Sequence, residues 1–298
     1  MISRNEVGMA ARLFYRNRKI FLVGLSVVAC GLLAVTIPAT AAQYFRYFRI
    51  TAPGASTTGP RGINNAGLIV GTDTTDGGFL LKNGVFTPIN IPGGCTAPFG
   101  INSQGQVVGY YDGNGCSENP QGFIYSAGVF TTINFPGALA TEPNGINDSG
   151  TIVGQFFPQT GALRGFIYTA GTFTTLNFPG AVSTGARGIN DAGQIVGFYT
   201  DASGANHAFM YSGGMFQNLF KSACQSSVAN GINNLGQIAG YCDTRAYVYN
   251  FASHSYILFD APYGSGPIAF GINDSGHVSG QYDADTGGVN GFLAVPLQ

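Results

Sequence analysis

Short apolar runs, separated by turns rich in Gly, Asn and Asp, set the rhythm of this chain. Read from Arg187, Gly188-Ile189-Asn190 ends one run and Asp191-Ala192-Gly193 turns it. Gln194 to Tyr199 forms the next run. A polar loop, Thr200 to Asn206, leads to His207-Ala208-Phe209-Met210-Tyr211, and Ser212-Gly213-Gly214 turns into a fourth run, Met215 to Phe220. β-Branched and aromatic residues in runs this short predict four strands joined by hairpins and one longer loop. No long segment has the apolar period of a surface helix, so the class is all-β.

The unit recurs. Gly-Ile-Asn followed by a Gly-closed turn begins at Gly62, Gly100, Gly145, Gly188, Gly231 and Gly271. A period near 40 residues marks a repeat architecture, and four antiparallel strands per unit predict a propeller blade. The last repeat stops after its third strand, Gly291-Phe292-Leu293-Ala294-Val295. The missing fourth strand stands at the front: Ile50-Thr51-Ala52-Pro53 matches Phe259-Asp260-Ala261-Pro262 of the fifth repeat. The expected fold is therefore a six-bladed β-propeller over residues 43–298, closed by an N-terminal strand completing the last blade. Such closure removes open sheet edges.

Residues 1–42 have a different character. Arg4, Arg12, Arg16, Arg18 and Lys19 precede an apolar stretch from Ile20 to Ile37, followed by Ala39-Thr40-Ala41-Ala42. This is the order of a secretory signal peptide. The alternative, an uncleaved anchor, would be the chain's one membrane contact. Either way the repeats are expected outside the cytoplasm, secreted, periplasmic or on the cell surface of a bacterium. Without residues 1–42 the chain carries eight basic and thirteen acidic side chains, a net charge of −5 with no basic stripe. Nucleic acid, which is bound by neutralising phosphates, is excluded as a partner. In an oxidising compartment Cys95, Cys116, Cys224 and Cys242 allow three disulfide pairings. Each pair flanks one hairpin, so Cys95–Cys116 and Cys224–Cys242 are expected.

Gly188-Ile189-Asn190-Asp191-Ala192-Gly193-Gln194-Ile195-Val196-Gly197, followed by His207-Ala208-Phe209 and Tyr211, resembles the bacterial extracellular repeat family named for its His-Ala-Phe tripeptide. The resemblance covers nearly all of residues 44–298. Only the fourth repeat has the tripeptide itself; elsewhere stand Gln121-Gly122-Phe123, Arg164-Gly165-Phe166, Arg245-Ala246-Tyr247 and Asn290-Gly291-Phe292. The resemblance implies secretion and a propeller-like fold, and supplies no catalytic residues.

Six copies allow a comparison within the chain. A residue present in every blade belongs to the blade; a residue peculiar to one asks for a local reason. The repeated Asn (Asn64, Asn102, Asn147, Asn190, Asn233, Asn273) is expected to bond its own turn, with a left-handed Gly closing it. The second-strand glycines (Gly71, Gly109, Gly154, Gly197, Gly240, Gly280) are expected to let neighbouring blades approach. The residue before each Gly-Ile-Asn varies instead: Arg61, Phe99, Asn144, Arg187, Asn230 and Phe270. These six should ring the channel mouth on the loop-rich face, where function is expected.

A second candidate set is Tyr111 with Asp112, Tyr199 with Asp201, and Tyr282 with Asp283, where a ring beside a carboxylate suits a sugar. Asp112 with Asn114 and Asp283 with Asp285 also space oxygens as Ca²⁺ loops do, though without the full ligand set. Catalysis has little to draw on. Glu118 and Glu142 are the only glutamates after residue 42, and a glycosidase needs two carboxylates about the scissile bond. The expected function is a monomeric, non-catalytic propeller binding a cell-surface glycan or protein. The alternatives are a calcium-dependent hydrolase or lactonase using Glu142, and a structural envelope or matrix protein.

Overall fold

The computed structural model describes residues 44–75, 77–113, 119–220, 224–261, 264–285 and 287–297. The signal-peptide assignment, Asn114, Cys116 and Glu118 lie outside these residues. Among the described residues twenty-four strands form six four-stranded antiparallel sheets. β1 (Phe45–Ile50) comes first. Blade 1 is β2 (Thr58–Ile63), β3 (Ile69–Asp73), β4 (Gly77–Lys82) and β5 (Val85–Pro88). Blade 2 is β6 (Cys95–Ile101), β7 (Val107–Asp112), β8 (Gln121–Ser126) and β9 (Val129–Ile133); blade 3 is β10 (Ala138–Ile146), β11 (Ile152–Pro158), β12 (Arg164–Thr169) and β13 (Thr172–Leu176). Blade 4 is β14 (Ser183–Ile189), β15 (Ile195–Thr200), β16 (Asn206–Ser212) and β17 (Met215–Asn218). Blade 5 is β18 (Ser227–Ile232), β19 (Gln237–Cys242), β20 (Arg245–Asn250) and β21 (Ser255–Phe259), and β22 (Gly264–Ile272), β23 (Val278–Ala284) and β24 (Val289–Pro296) begin blade 6. Its outer position holds β1, antiparallel to β24 from Phe45 opposite Pro296 to Ile50 opposite Gly291.

The core is a set of six hydrophobic clusters, one at each seam between neighbouring blades. The third-strand aromatic is the constant element. Phe79, Phe123, Phe166, Phe209, Tyr247 and Phe292 are each at most 1% exposed. In blades 1 to 4 a fourth-strand Phe meets it edge-on at 5.0–5.3 Å, as aromatic quadrupoles prefer. The Phe of the His-Ala-Phe phrase is thus a seam filler.

The repeated Asn does what its turn needs: Asn147 Oδ1 accepts from Thr151 N at 2.9 Å. It also does more. Each Asn Nδ2 donates to the Asn carbonyl of the next blade, at 2.9–3.2 Å, through all six seams, and Asn273 to Asn64 closes the circle. The following turn residue adds a second rung at five seams, for instance Asp148 N to Asp191 Oδ1 at 2.9 Å.

The role expected of the second-strand glycines is corrected. A Cβ on Gly109 or Gly197 would strike the first strand of its own blade, at Ala97 O or Gly185 O, and not the neighbouring blade. Inter-blade approach belongs to the Gly of Gly-Ile-Asn, where a Cβ on Gly188 would sit 3.0 Å from Asn230 O and from Gly231 Cα. Cys224 is bonded to Cys242, which excludes pairing between repeats 2 and 5 for these two. Cys95 is also disulfide-bonded.

Candidate functional site

Every first strand carries a register shift at the same place. Pro98 faces Gly109 and Gly100 faces Val108, which leaves Phe99 as the extra residue of a β-bulge. Asn144, Arg187, Asn230 and Phe270 are the extra residues of blades 3 to 6, and the shift in blade 1 spans Arg61. A bulge unpairs one residue and re-aims its side chain. It also explains the glycine opposite, since the crowded backbone leaves no room for a Cβ. The six residues line one cavity of about 390 Å³ at the channel mouth. Asn206, at the start of β16, also lines it, so the cavity opens on the face carrying the second-to-third strand loops.

The ring is divided by chemistry. Arg61 on blade 1 has Phe270 of blade 6 at 3.9 Å on one side and Phe99 of blade 2 at 5.2 Å on the other. Tyr110 stacks behind Phe99 at 5.3 Å, so ring, guanidinium, ring and ring form one pile. Arg187 on blade 4 stands between Asn144 and Asn230. Its Nη1 donates to Asn144 Oδ1 at 3.4 Å, and its guanidinium lies 5.2 Å from the Phe198 ring. Asn144 Nδ2 is fixed on Ala186 O at 3.0 Å and Asn230 Nδ2 on Ala269 O at 2.9 Å. Burial pushes the Arg61 guanidinium down to about 10, with the Arg187 charge adding to the fall. Arg187 is lowered by burial too, while Glu142 acts to raise it.

Glu142 stands two residues before Asn144 on β10 and accepts a 2.6 Å bond from Gln155 Nε2. Burial raises its pKa, opposed by that bond and by Arg187. The residues that sequence comparison missed face the first strand from the second: Tyr110, Gln155, Phe198 and Tyr241, opposite Ala97, Glu142, Gly185 and Val228. The signal was available, because this column also differs from blade to blade.

The second set is not brought together. Its members sit on blades 2, 4 and 6, and none lines the cavity. Tyr282 is 1% exposed and belongs to the seam of blades 5 and 6, so it presents no face to a sugar. Tyr199 stacks on Phe178 at 3.7 Å and its hydroxyl accepts from Asn218 at 2.8 Å. Tyr111 packs in the seam of blades 1 and 2, its hydroxyl near Thr132 and Gln121. The apolar faces of these rings cover seams, as burial of aromatic area favours.

Of the spaced oxygens, Asn114 lies outside the described residues, and Asp112 and Asp283 stand on different blades. Asp112 is buried, whereas Asp283 is exposed. Asp201 spends its carboxylate on its own loop, accepting from Ser203 N, Ser203 Oγ and Ala205 N, with His207 Nε2 at 2.7 Å. The Ser203 hydroxyl and then His207 hold its pKa well below the usual carboxylate range. Among the described residues no three His, Cys, Asp or Glu side chains gather as metal ligands.

No protein-family model matches the chain, and no curated protein does. Among solved structures it is similar to a gluconolactonase of Xanthomonas campestris (TM-score 0.54, 12% identity, 84% of this chain and 94% of that one). It is likewise similar to the SapL1 lectin in complex with α-methyl fucoside (TM-score 0.52, 10% identity, 82% and 96%). A variant of the Aleuria aurantia lectin in complex with Fucα1-6GlcNAc gives a TM-score of 0.51 at 11% identity, over 80% and 91%. At these identities the likeness is one of fold: the chain is a six-bladed β-propeller.

Proposed function

We propose that this chain is a secreted, non-catalytic propeller that holds part of a cell-surface glycan or protein in its channel mouth. One observation carries the reading. The blades repeat their turns, glycines and seam aromatics, yet the six bulge residues differ and converge on a single cavity. Structure alone would be served by six similar plugs. A cavity of about 390 Å³ lies in the range of small-ligand sites. Two of the similar folds were solved with fucosides, which shows that a propeller of this form can hold sugars.

The test is a glycan array followed by calorimetry on the hits, with Asn230→Trp as the occluding variant. Wild-type protein is expected to bind, and Asn230→Trp to lose binding while still unfolding cooperatively, its melting temperature lowered only by the loss of the 2.9 Å bond to Ala269 O. An array without hits, and no ligand that raises the melting temperature, would leave the envelope or matrix role standing instead. Undiminished binding by Asn230→Trp would move the site away from the channel.

A further inference from the structure

We propose that the channel mouth recognises an anion, and specifically the carboxylate of an acidic sugar, held between Arg61 and Arg187. The inference rests on the binding role proposed above and names the ligand class for it. In a ring of six, blades 1 and 4 stand opposite, so the two guanidinium groups face one another across the cavity they both line. Phe99 and Phe270 cover the flat faces of Arg61. Only its N–H edge remains for a ligand.

The protein does not satisfy either guanidinium fully, and Arg187 has only the long Nη1 bond to Asn144. The Nε atoms of Arg61 and of Arg187 are both shut off from solvent and have no hydrogen-bond partner. Among the described residues neither guanidinium is within ion-pair distance of a carboxylate. Glu142 is, among the described residues, the one carboxylate that acts on Arg187, beside Tyr241 and Tyr110, and it is engaged by Gln155 at 2.6 Å. Among the described residues the cavity is therefore lined by two arginines and no carboxylate. Buried charges are ordinarily paired, and here the missing partner must come from outside.

The geometry also selects the partner. The two Nη groups of a guanidinium present parallel N–H bonds, the fork that accepts a planar carboxylate end-on, while the sheltered Nε leaves the charge without an internal partner. Low-dielectric walls around like charges focus the field and draw in the opposite sign. The volume exceeds that of a bare anion. Asn206, Asn230 and Tyr241 line the rest of it with groups suited to sugar hydroxyls.

Calorimetry and thermal shift with glucuronate and galacturonate, against glucose, galactose, acetate and inorganic sulfate, test the proposal. Both uronates are expected to bind about 10- to 100-fold more tightly than the matched neutral sugars, less so at high salt. Arg61→Gln and Arg187→Gln should lose that preference. Arg187→Lys, which keeps the charge without the fork, should lose most of it. Equal binding of neutral sugars, unchanged in the arginine variants, overturns anion recognition and leaves the glycan role intact. Acetate or sulfate binding as tightly as the uronates overturns the sugar role and leaves a bare-anion site. No binding by any of the six overturns the uronate proposal, while the glycan or protein role stands or falls by the array. Melting temperatures of the variants at or above wild type show that a loss is not a failure to fold.

Discussion

Asn147 illustrates how one side chain can serve two scales. Its Oδ1 accepts from Thr151 N at 2.9 Å and from Ser149 Oγ at 2.8 Å, closing its own turn. Its Nδ2 donates to Asn190 O, 43 residues away, at 3.1 Å. The first half was legible in the sequence, because turn chemistry is local. The second was not, because its partner belongs to another copy of the same phrase. The two roles separate in Asn147→Asp, which keeps the turn acceptor and replaces the donor with an oxygen facing a carbonyl. Near neutral pH it is expected to cost about 1–3 kcal/mol, at least as much as Asn147→Ala. The new carboxylate is buried, so its folded pKa rises above the unfolded value of about 3.9. Stability is then whole below that value and is lost as pH rises through the folded one. Denaturant melts from pH 3 to pH 7 check this; an Asp variant as stable as wild type at pH 7 would confine Asn147 to its turn.

The strand scale explains much of the variation at the middle position of the His-Ala-Phe phrase. The small residue before the seam aromatic packs on the first strand of the next blade. Where that strand offers Pro60, Pro98 or Pro143, the small residue is Gly291, Gly78 or Gly122. A Cβ on Gly122 would lie 2.8 Å from Pro143 Cγ. Where the next blade offers Ala229 or Ala269, the residue is Ala208 or Ala246, both fully buried. Three of the four glycines here are compensations read across a seam, which a single repeat viewed alone hides; Gly165 faces Ala186 and has no such proline opposite. The same blindness assigned the second-strand glycines to the wrong contact, since their crowding arises from a bulge that no turn signal announces. Gly122→Ala should therefore be destabilising, and Pro143→Ala should recover part of the loss. In a double-mutant cycle the expected coupling is about 0.5–3 kcal/mol. Additive effects would show that the two residues do not share the seam.

At the scale of the molecule, the candidate site was legible where the fold repeats and obscure where it does not. Arg61, Phe99, Asn144, Arg187, Asn230 and Phe270 could be named because each stands at a fixed offset from a phrase that counts blades. Their mutual arrangement, an arginine between two rings facing an arginine between two amides, could not be named without the ring order. The tyrosines of the second set misled for the opposite reason. Strand ends beside loops look exposed in sequence, while Tyr199 and Tyr282 are claimed by seams.

Holding that ring order is a global task, shared by the circle of asparagines at the floor and by β1 at the rim of blade 6. Phe45 is the residue of β1 that commits most to it. It is 6% exposed, sits 5.2 Å from Phe259 of blade 5, and belongs to a strand paired with β24. Residues so far apart in sequence meet only when the first and last segments lie side by side. Phe45→Ala should cost about 3–5 kcal/mol, the range for deleting a buried aromatic. The exposed Phe48 on the same strand serves as the control, and Phe48→Ala should change stability by less than about 0.5 kcal/mol. Urea melts of both variants, with the midpoint and slope followed separately, give the comparison. A large effect at Phe45 beside a small one at Phe48 fixes which face of β1 is buried. Equal, small effects would mean that blade 6 is held without β1, and that the asparagine circle alone keeps Arg61 and Arg187 in opposition.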